Sequence, residues 1–323
     1  MPMPSAHRHA RASALLASAT ATVLLTAGCG GDTQAATGSA GDELKGATFT
    51  VGSKDFTESI VLGQITMKIL KAHGAKVEDK TNIKGSVTTR KALTSGDIDM
   101  YWEYTGTGWI SYLKHTTPIA NATKQYTAVR DEDLKKNKIV WLKPAPLNNT
   151  YALALREDTA KKLGLSKLSD IAALAKSDPS KATFCLESEF STRDDGWPGV
   201  KKTYGIDVPD SNIKMLDTGV IYNETGKGKT CTFGEVFTTD GRISSLKLKV
   251  LQDDKHFFPV YNAALTLPKS VADKYPQIAK IMAPVTAKLT DKTLQKLNAD
   301  VDVDGLTPEE AAQDWLDSEG LLK

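Results

Sequence analysis

The sequence predicts an α/β protein of two doubly wound lobes with a cleft between them, and three observations predict it. From Phe49 through the strand that begins at Asp97, strand-like and helix-like runs alternate as β-α-β-α-β in about sixty residues, the pattern of a parallel sheet covered by helices. Pro144-Ala145-Pro146-Leu147-Asn148-Asn149 then reads as an extended crossing segment with a turn. A second α/β run follows it, and Asp253–Tyr261 reads as the return crossing. The first lobe is therefore expected to be discontinuous, residues 46–149 with 258–323, and the second, residues 150–257, to be inserted through the two crossings.

The elements follow in order. Phe49–Gly52 is a short first strand, and Ile60, Val61, Ile65, Ile69 and Leu70 form the apolar face of a helix. Asp55 or Thr57 would open that helix and Gly74 would stop it. Val77–Ile83 is a second strand, and Ser86–Ser95 a helix closed by Gly96. Asp97 begins a third strand, in which Ile98, Met100 and Trp102 alternate with Asp97, Asp99, Tyr101 and Glu103 as in a half-buried segment. A polar helix spans 125–138, with a strand at Val140–Leu142. In the second lobe, strands are expected at Tyr151–Leu155, Ala182–Leu186, Phe233–Thr238 and Leu246–Leu251, and helices near 159–163 and 168–175 and up to Tyr204. Helices fill the C-terminal part, the last opening with the capping box Thr307-Pro308-Glu309-Glu310.

The N-terminus reads as an export signal over residues 1–28. His7, Arg8, His9 and Arg11 make a basic start, and Ala12–Ala27 is an apolar run too short to span a bilayer. Leu25-Thr26-Ala27-Gly28-Cys29 resembles a bacterial lipobox, which predicts a lipid-anchored Cys29 followed by a flexible tether over 29–45. Loss of Arg8 and Arg11 would bring the net charge from +2 to neutral, and no basic block points to nucleic acid. With Cys29 modified, Cys185 and Cys231 remain as an even pair in an exported protein, which suggests one disulfide.

The stretch Asp97–Trp109, D-I-D-M-Y-W-E-Y-T-G-T-G-W, organises the rest. Its strand passes through a Thr/Gly turn into Trp109, Ile110, Tyr112 and Leu113 at helical spacing. Such a turn offers backbone N–H groups and hydroxyls to an anion. The surrounding aromatic faces suit a cation without N–H donors, so together they suit a zwitterion bearing a quaternary ammonium.

Enzyme chemistry finds no support. The dinucleotide fingerprint, the P-loop, G-x-S-x-G and any Ser/Cys–His pairing are missing, and His7, His9, His73, His115 and His256 have no metal-ligand spacing. Asp97, Asp99 and Glu103 read as the solvent face of a strand rather than a catalytic carboxylate pair. No cofactor or metal is expected.

Six motifs in order carry a family resemblance: Gly52-Ser53-Lys54-Asp55-Phe56-Thr57-Glu58, Gly96-Asp97-Ile98-Asp99, Glu103-Tyr104-Thr105-Gly106-Thr107, Arg193-Asp194-Asp195-Gly196, Thr239-Asp240-Gly241-Arg242-Ile243, and Phe257-Phe258-Pro259 with Tyr261. From Lys45 to the C-terminus the chain resembles the substrate-binding proteins of ABC importers for glycine betaine, choline and related osmoprotectants. The resemblance implies a type II periplasmic-binding-protein clamshell with no catalytic activity. It also implies an aromatic cage of Tyr104, Tyr151, Tyr261 and Phe237, the last where a tyrosine is usual, with the backbone carbonyl of Asn149 lining it. Lys54, Thr107 and Arg193 fall on the contacts to the ligand carboxylate. Implied partners are a quaternary amine, an ABC permease and its ATPase, for a monomeric receptor outside the cytoplasmic membrane. Glycine betaine is the expected ligand; a choline- or carnitine-specific receptor, or a ligand sensor without a transport role, are the alternatives.

Overall fold

The computed structural model describes residues 41–322. The signal segment, Cys29 and most of the tether lie outside the described residues. Ten strands form among the described residues: β1 (Thr48–Lys54), β2 (Lys76–Ile83), β3 (Tyr101–Tyr104), β4 (Ile139–Trp141), β5 (Tyr151–Arg156), β6 (Phe184–Leu186), β7 (Ile213–Met215), β8 (Phe233–Phe237), β9 (Leu248–Val250) and β10 (Ala263–Pro268). β1 and β2 pair in parallel, β3-β10-β4 form a second sheet, and β7-β6-β8-β5-β9 a third. The first two sheets meet where Gly52 donates its N–H to the Met100 carbonyl at 2.9 Å, beside a parallel bridge from Val51 to Met100.

The first helix runs Thr57–Ala72 and buries Val61, Leu62, Ile65, Ile69 and Leu70 against β1, β2 and the helix Pro308–Ser318. The second, Ser86–Ser95, ends at Gly96, whose φ of +82° is open to glycine with little cost. At Pro308–Ser318 the capping box forms as expected, with Thr307 and Glu310 exchanging hydrogen bonds. Cys185 on β6 and Cys231, just before β8, are bonded with their Cα atoms 5.7 Å apart. No helix among the described residues is long and apolar enough to cross a membrane.

The structure departs from the expected parallel winding. β10 runs antiparallel to β3 and β4, and β5 runs antiparallel to β8 and β9. Each of these strands follows a crossing directly, so it enters its sheet from the cleft side, whereas the helix-connected strands run toward the cleft. β10 itself was expected to be helical. Its sequence, A-A-L-T-L-P, has neither alternation nor turn signals, because it is buried on both faces in the centre of its sheet. β7 and the helix Thr218–Lys227 were not anticipated either.

The third strand begins at Tyr101, not Asp97, and its alternation separates two cores rather than core from solvent. Met100, Trp102 and Tyr104 join the main core, while Tyr101 packs with Leu93, Ile98 and Trp141. Glu103, expected on a solvent face, is fully buried.

Candidate functional site

The mixed strand directions assemble the site. Lys54 ends β1 and Tyr104 ends β3, at the carboxyl ends where ligands of α/β sheets bind. Antiparallel pairing sets Tyr151, the first residue of β5, directly opposite Phe237, the last of β8. It also sets Ala263 opposite Tyr104, so Tyr261, two residues earlier, reaches the same edge. There the Tyr261 ring lies on the backbone of Gly106, where a Cβ would stand 2.5 Å from a ring carbon. Any larger residue would push the ring away.

These residues surround a cavity of about 540 Å³. Lys54, Tyr104, Thr107, Asn149, Tyr151, Phe237 and Tyr261 line it, as does Phe56. The rings form an unbroken series: Tyr104 to Phe56 at 5.9 Å between centroids, Phe56 to Phe237 at 5.2 Å, Phe237 to Tyr151 at 5.0 Å, and Tyr151 to Tyr261 at 5.4 Å. Phe56 was not singled out in the sequence, although it lies inside the first motif. The signal was its place one residue before the helix, where the side chain turns toward the strand ends.

The hydroxyls of two wall tyrosines are anchored. Tyr104 donates to Glu58 Oε1 at 2.8 Å, and Tyr261 donates to Asp195 Oδ2 at 2.7 Å. Tyr151 has no hydroxyl partner among the described residues. Glu58 also accepts from Asn149 Nδ2 at 2.9 Å and from the Thr239 hydroxyl at 2.5 Å, which ties the segment before β5 and the segment after β8 to one buried carboxyl. Burial pushes that carboxyl up despite these bonds. The Asn149 side chain thus serves the frame, while its residue lines the cavity.

Both cations are already neutralised. Lys54 Nζ lies 2.6 Å from Glu103 Oε1, and Glu103 also accepts from the Tyr101 and Tyr112 hydroxyls at 2.7 Å each. Arg193 donates through Nε and Nη2 to Asp195, at 2.7 and 2.6 Å, and through Nη1 to Glu189 at 2.7 Å. Its Nη2 also reaches Thr107 Oγ1 at 3.3 Å. Arg193 lies behind Glu189 and Thr107 rather than on the cavity surface. Glu189 accepts the Ser86 N–H at 2.9 Å as well. Burial would raise this carboxyl, but Arg193, Lys54 and the Ser86 N–H together hold it down to about 2. Glu235, on the same wall, is pushed up to about 8 by burial, against the hydrogen bond from the Glu187 N–H and with Glu187 adding to the rise. Sequence reasoning missed Glu189 and Glu235, because nothing local distinguishes a buried glutamate from an exposed one.

An aromatic wall, a recessed arginine fork and a cavity thus come together at the strand ends. Residues 47–318 match the family described as the substrate-binding domain of ABC-type glycine betaine transport systems. The chain belongs to this family. Its members bind solutes for import and catalyse no reaction, and they work outside the cytoplasm with a permease and an ATPase.

The glycine-betaine-binding protein of Pseudomonas aeruginosa PAO1 is 38% identical over 280 residues, 85% of this chain and 89% of that protein. YehZ of Escherichia coli K12, a glycine betaine-binding protein, is 36% identical over 281 residues, 84% of this chain and 91% of that protein. The apo structure of YehZ superposes with a TM-score of 0.63, over 85% of this chain and 99% of that one, at 34% identity. These matches establish the two-lobed type II periplasmic-binding-protein fold for this chain. The ergothioneine transport permease/ergothioneine binding protein EgtU of Helicobacter pylori is 32% identical over 84% of this chain and 47% of its own length. Among the described residues no group of His, Cys, Asp and Glu could hold a metal ion.

Proposed function

We propose that this chain captures a small quaternary-ammonium solute, glycine betaine first, and hands it to an ABC permease. The unbroken wall Tyr104–Phe56–Phe237–Tyr151–Tyr261 on the cavity carries this reading. A trimethylammonium group has no N–H to donate, so carboxylates hold it only through space, while aromatic faces hold it at about 0.5–2 kcal/mol each when desolvated. Several such contacts support roughly micromolar affinity after the cost of association. Two relatives are named for glycine betaine binding, which favours that ligand. Lys54, Thr107 and Arg193 are the groups we assign to its carboxylate.

One observation favours a second ligand. Each cation is balanced by a buried acid, and a purely cationic amine such as choline needs no free cation. Calorimetric titration with glycine betaine, proline betaine, carnitine, choline and ergothioneine separates the readings. Tyr151→Ala should weaken whichever amine binds by about tenfold or more. Failure of every quaternary amine to bind would refute the cage.

We further propose that the protein is a monomer anchored by lipid on Cys29 to the outer face of the cytoplasmic membrane, where Cys29→Ala should release it into a soluble fraction.

A further inference from the structure

The Arg193 fork has almost nothing left to offer. Nε and one Nη2 hydrogen go to Asp195, the other Nη2 hydrogen to Thr107 and one Nη1 hydrogen to Glu189, so only the second Nη1 hydrogen lacks an acceptor among the described residues. A ligand carboxylate arriving beside that fork meets Glu189 first, because Glu189 lines the cavity and Arg193 stands behind it. Asp195 is locked by two bonds from Arg193 and one from Tyr261. Glu189 has one bond to Arg193, and its other oxygen accepts the Ser86 N–H at the start of the helix Ser86–Ser95. Ser86 belongs to the first half of the chain and Glu189 to the inserted half, so this carboxylate bridges the cleft. It sits between a guanidinium and a helix N-terminus, the two partners that bind carboxylates best.

We infer that Glu189 holds, from within the chain, the position a ligand carboxylate would take, and so sets the choice between zwitterionic and purely cationic quaternary amines. The inference rests on the proposed function for its ligand class. A betaine must exchange its carboxylate for that of Glu189 at Nη1 and at the Ser86 N–H. Choline leaves Glu189 in place and is favoured by its charge. Glu189 is thus a specificity-determining residue, and it also links the two lobes.

Glu189→Gln tests this, because it keeps the length and an oxygen for the Ser86 N–H while removing the charge. Calorimetry of wild type and variant with glycine betaine and with choline should show betaine binding tighter by about tenfold and choline unchanged or weaker, since like charges facing each other are costly. Equal shifts for the two ligands, or a selective loss of betaine, would overturn the inference. If the wild type binds neither amine, the functional reading fails, and the bridge is judged alone by small-angle scattering without added ligand. There, Glu189→Ala, which removes the acceptor of the Ser86 N–H, should enlarge the radius of gyration relative to wild type, and an unchanged radius would overturn the bridge. Ser86→Pro removes the same cross-cleft bond at a helix position where proline is tolerated. It should open the cleft in the same sense even if Glu189→Ala fails to fold, and a wild-type radius in a folded Ser86→Pro protein would again overturn the bridge.

Discussion

Lys54 and Arg193 bring the same charge to the same cavity, and they are held in opposite ways. Lys54 faces one carboxylate, Glu103, which is fixed by two tyrosine hydroxyls and by the Tyr104 N–H at 2.6 Å. All of these groups lie in the first half of the chain. Arg193 faces two carboxylates, and one of them, Glu189, is shared with the other side of the cleft. The lysine pair is a closed structural unit, and a buried pair of this kind is expensive to break from either side. The arginine group has an arm that can be exchanged. Equal formal charge in a cavity wall therefore does not mean equal availability to a ligand. What decides is how many competing partners each cation already has and whether any of them can move.

Breaking both cations separates the two roles. Arg193→Ala should cost glycine betaine binding the most, about 2–5 kcal/mol by calorimetry, because a ligand carboxylate loses its fork. Lys54→Met should act on the fold as well as on binding: it leaves Glu103 buried and uncompensated, which costs about 3–5 kcal/mol in denaturant unfolding. If Lys54→Met leaves stability intact and abolishes binding, the comparison is wrong.

The tyrosines sharpen the contrast at smaller scale. Tyr261→Phe removes the donor to Asp195 and Tyr104→Phe the donor to Glu58, each leaving a buried acceptor short by about 1–3 kcal/mol in thermal or denaturant stability. Tyr151→Phe breaks no bond among the described residues and keeps its π-face, so its binding should stay within about twofold of wild type. Equal losses from all three would mean that the hydroxyls meet the ligand directly.

A further effect is one of pH. Native Glu235 keeps its proton up to about 8, while an unfolded glutamate releases it near 4.5. Between those values the native state binds more protons than the unfolded state, so this group makes stability fall as pH rises and contributes no slope below the window. Glu235→Gln should flatten that decline in a series of unfolding midpoints measured across the window. An unchanged slope would place the wall carboxyl in water.

Much of this was legible in the sequence, and the reasons differ by element. Ser86–Ser95 was read to the residue because a glycine stop closes it, and Thr307–Glu310 because a capping box depends on neighbours three residues apart. Tyr104, Tyr151, Tyr261, Phe237, Lys54, Thr107 and Asn149 were all named from motifs, and the structure brings all of them to one cavity, with Arg193 just behind it. β10 was not legible, because a strand buried on both faces loses the alternation that identifies strands. Phe56 stands inside the first motif, but its place on the cavity depends on neighbours such as Phe237 that are distant in sequence.

The sequence by itself determined the α/β class, since periodicity and turn chemistry are properties of neighbours along the chain, and its ordered motifs carried the family resemblance from which the cleft residues were named. Tertiary structure alone decided which strands run antiparallel, the burial of Glu103 and the partners of each cation. Glu103 and Lys54 are 49 residues apart, and Glu189 and Ser86 are 103 apart. Ion pairing and burial depend on distance in space and on exclusion of water, and neither quantity exists until the chain has folded.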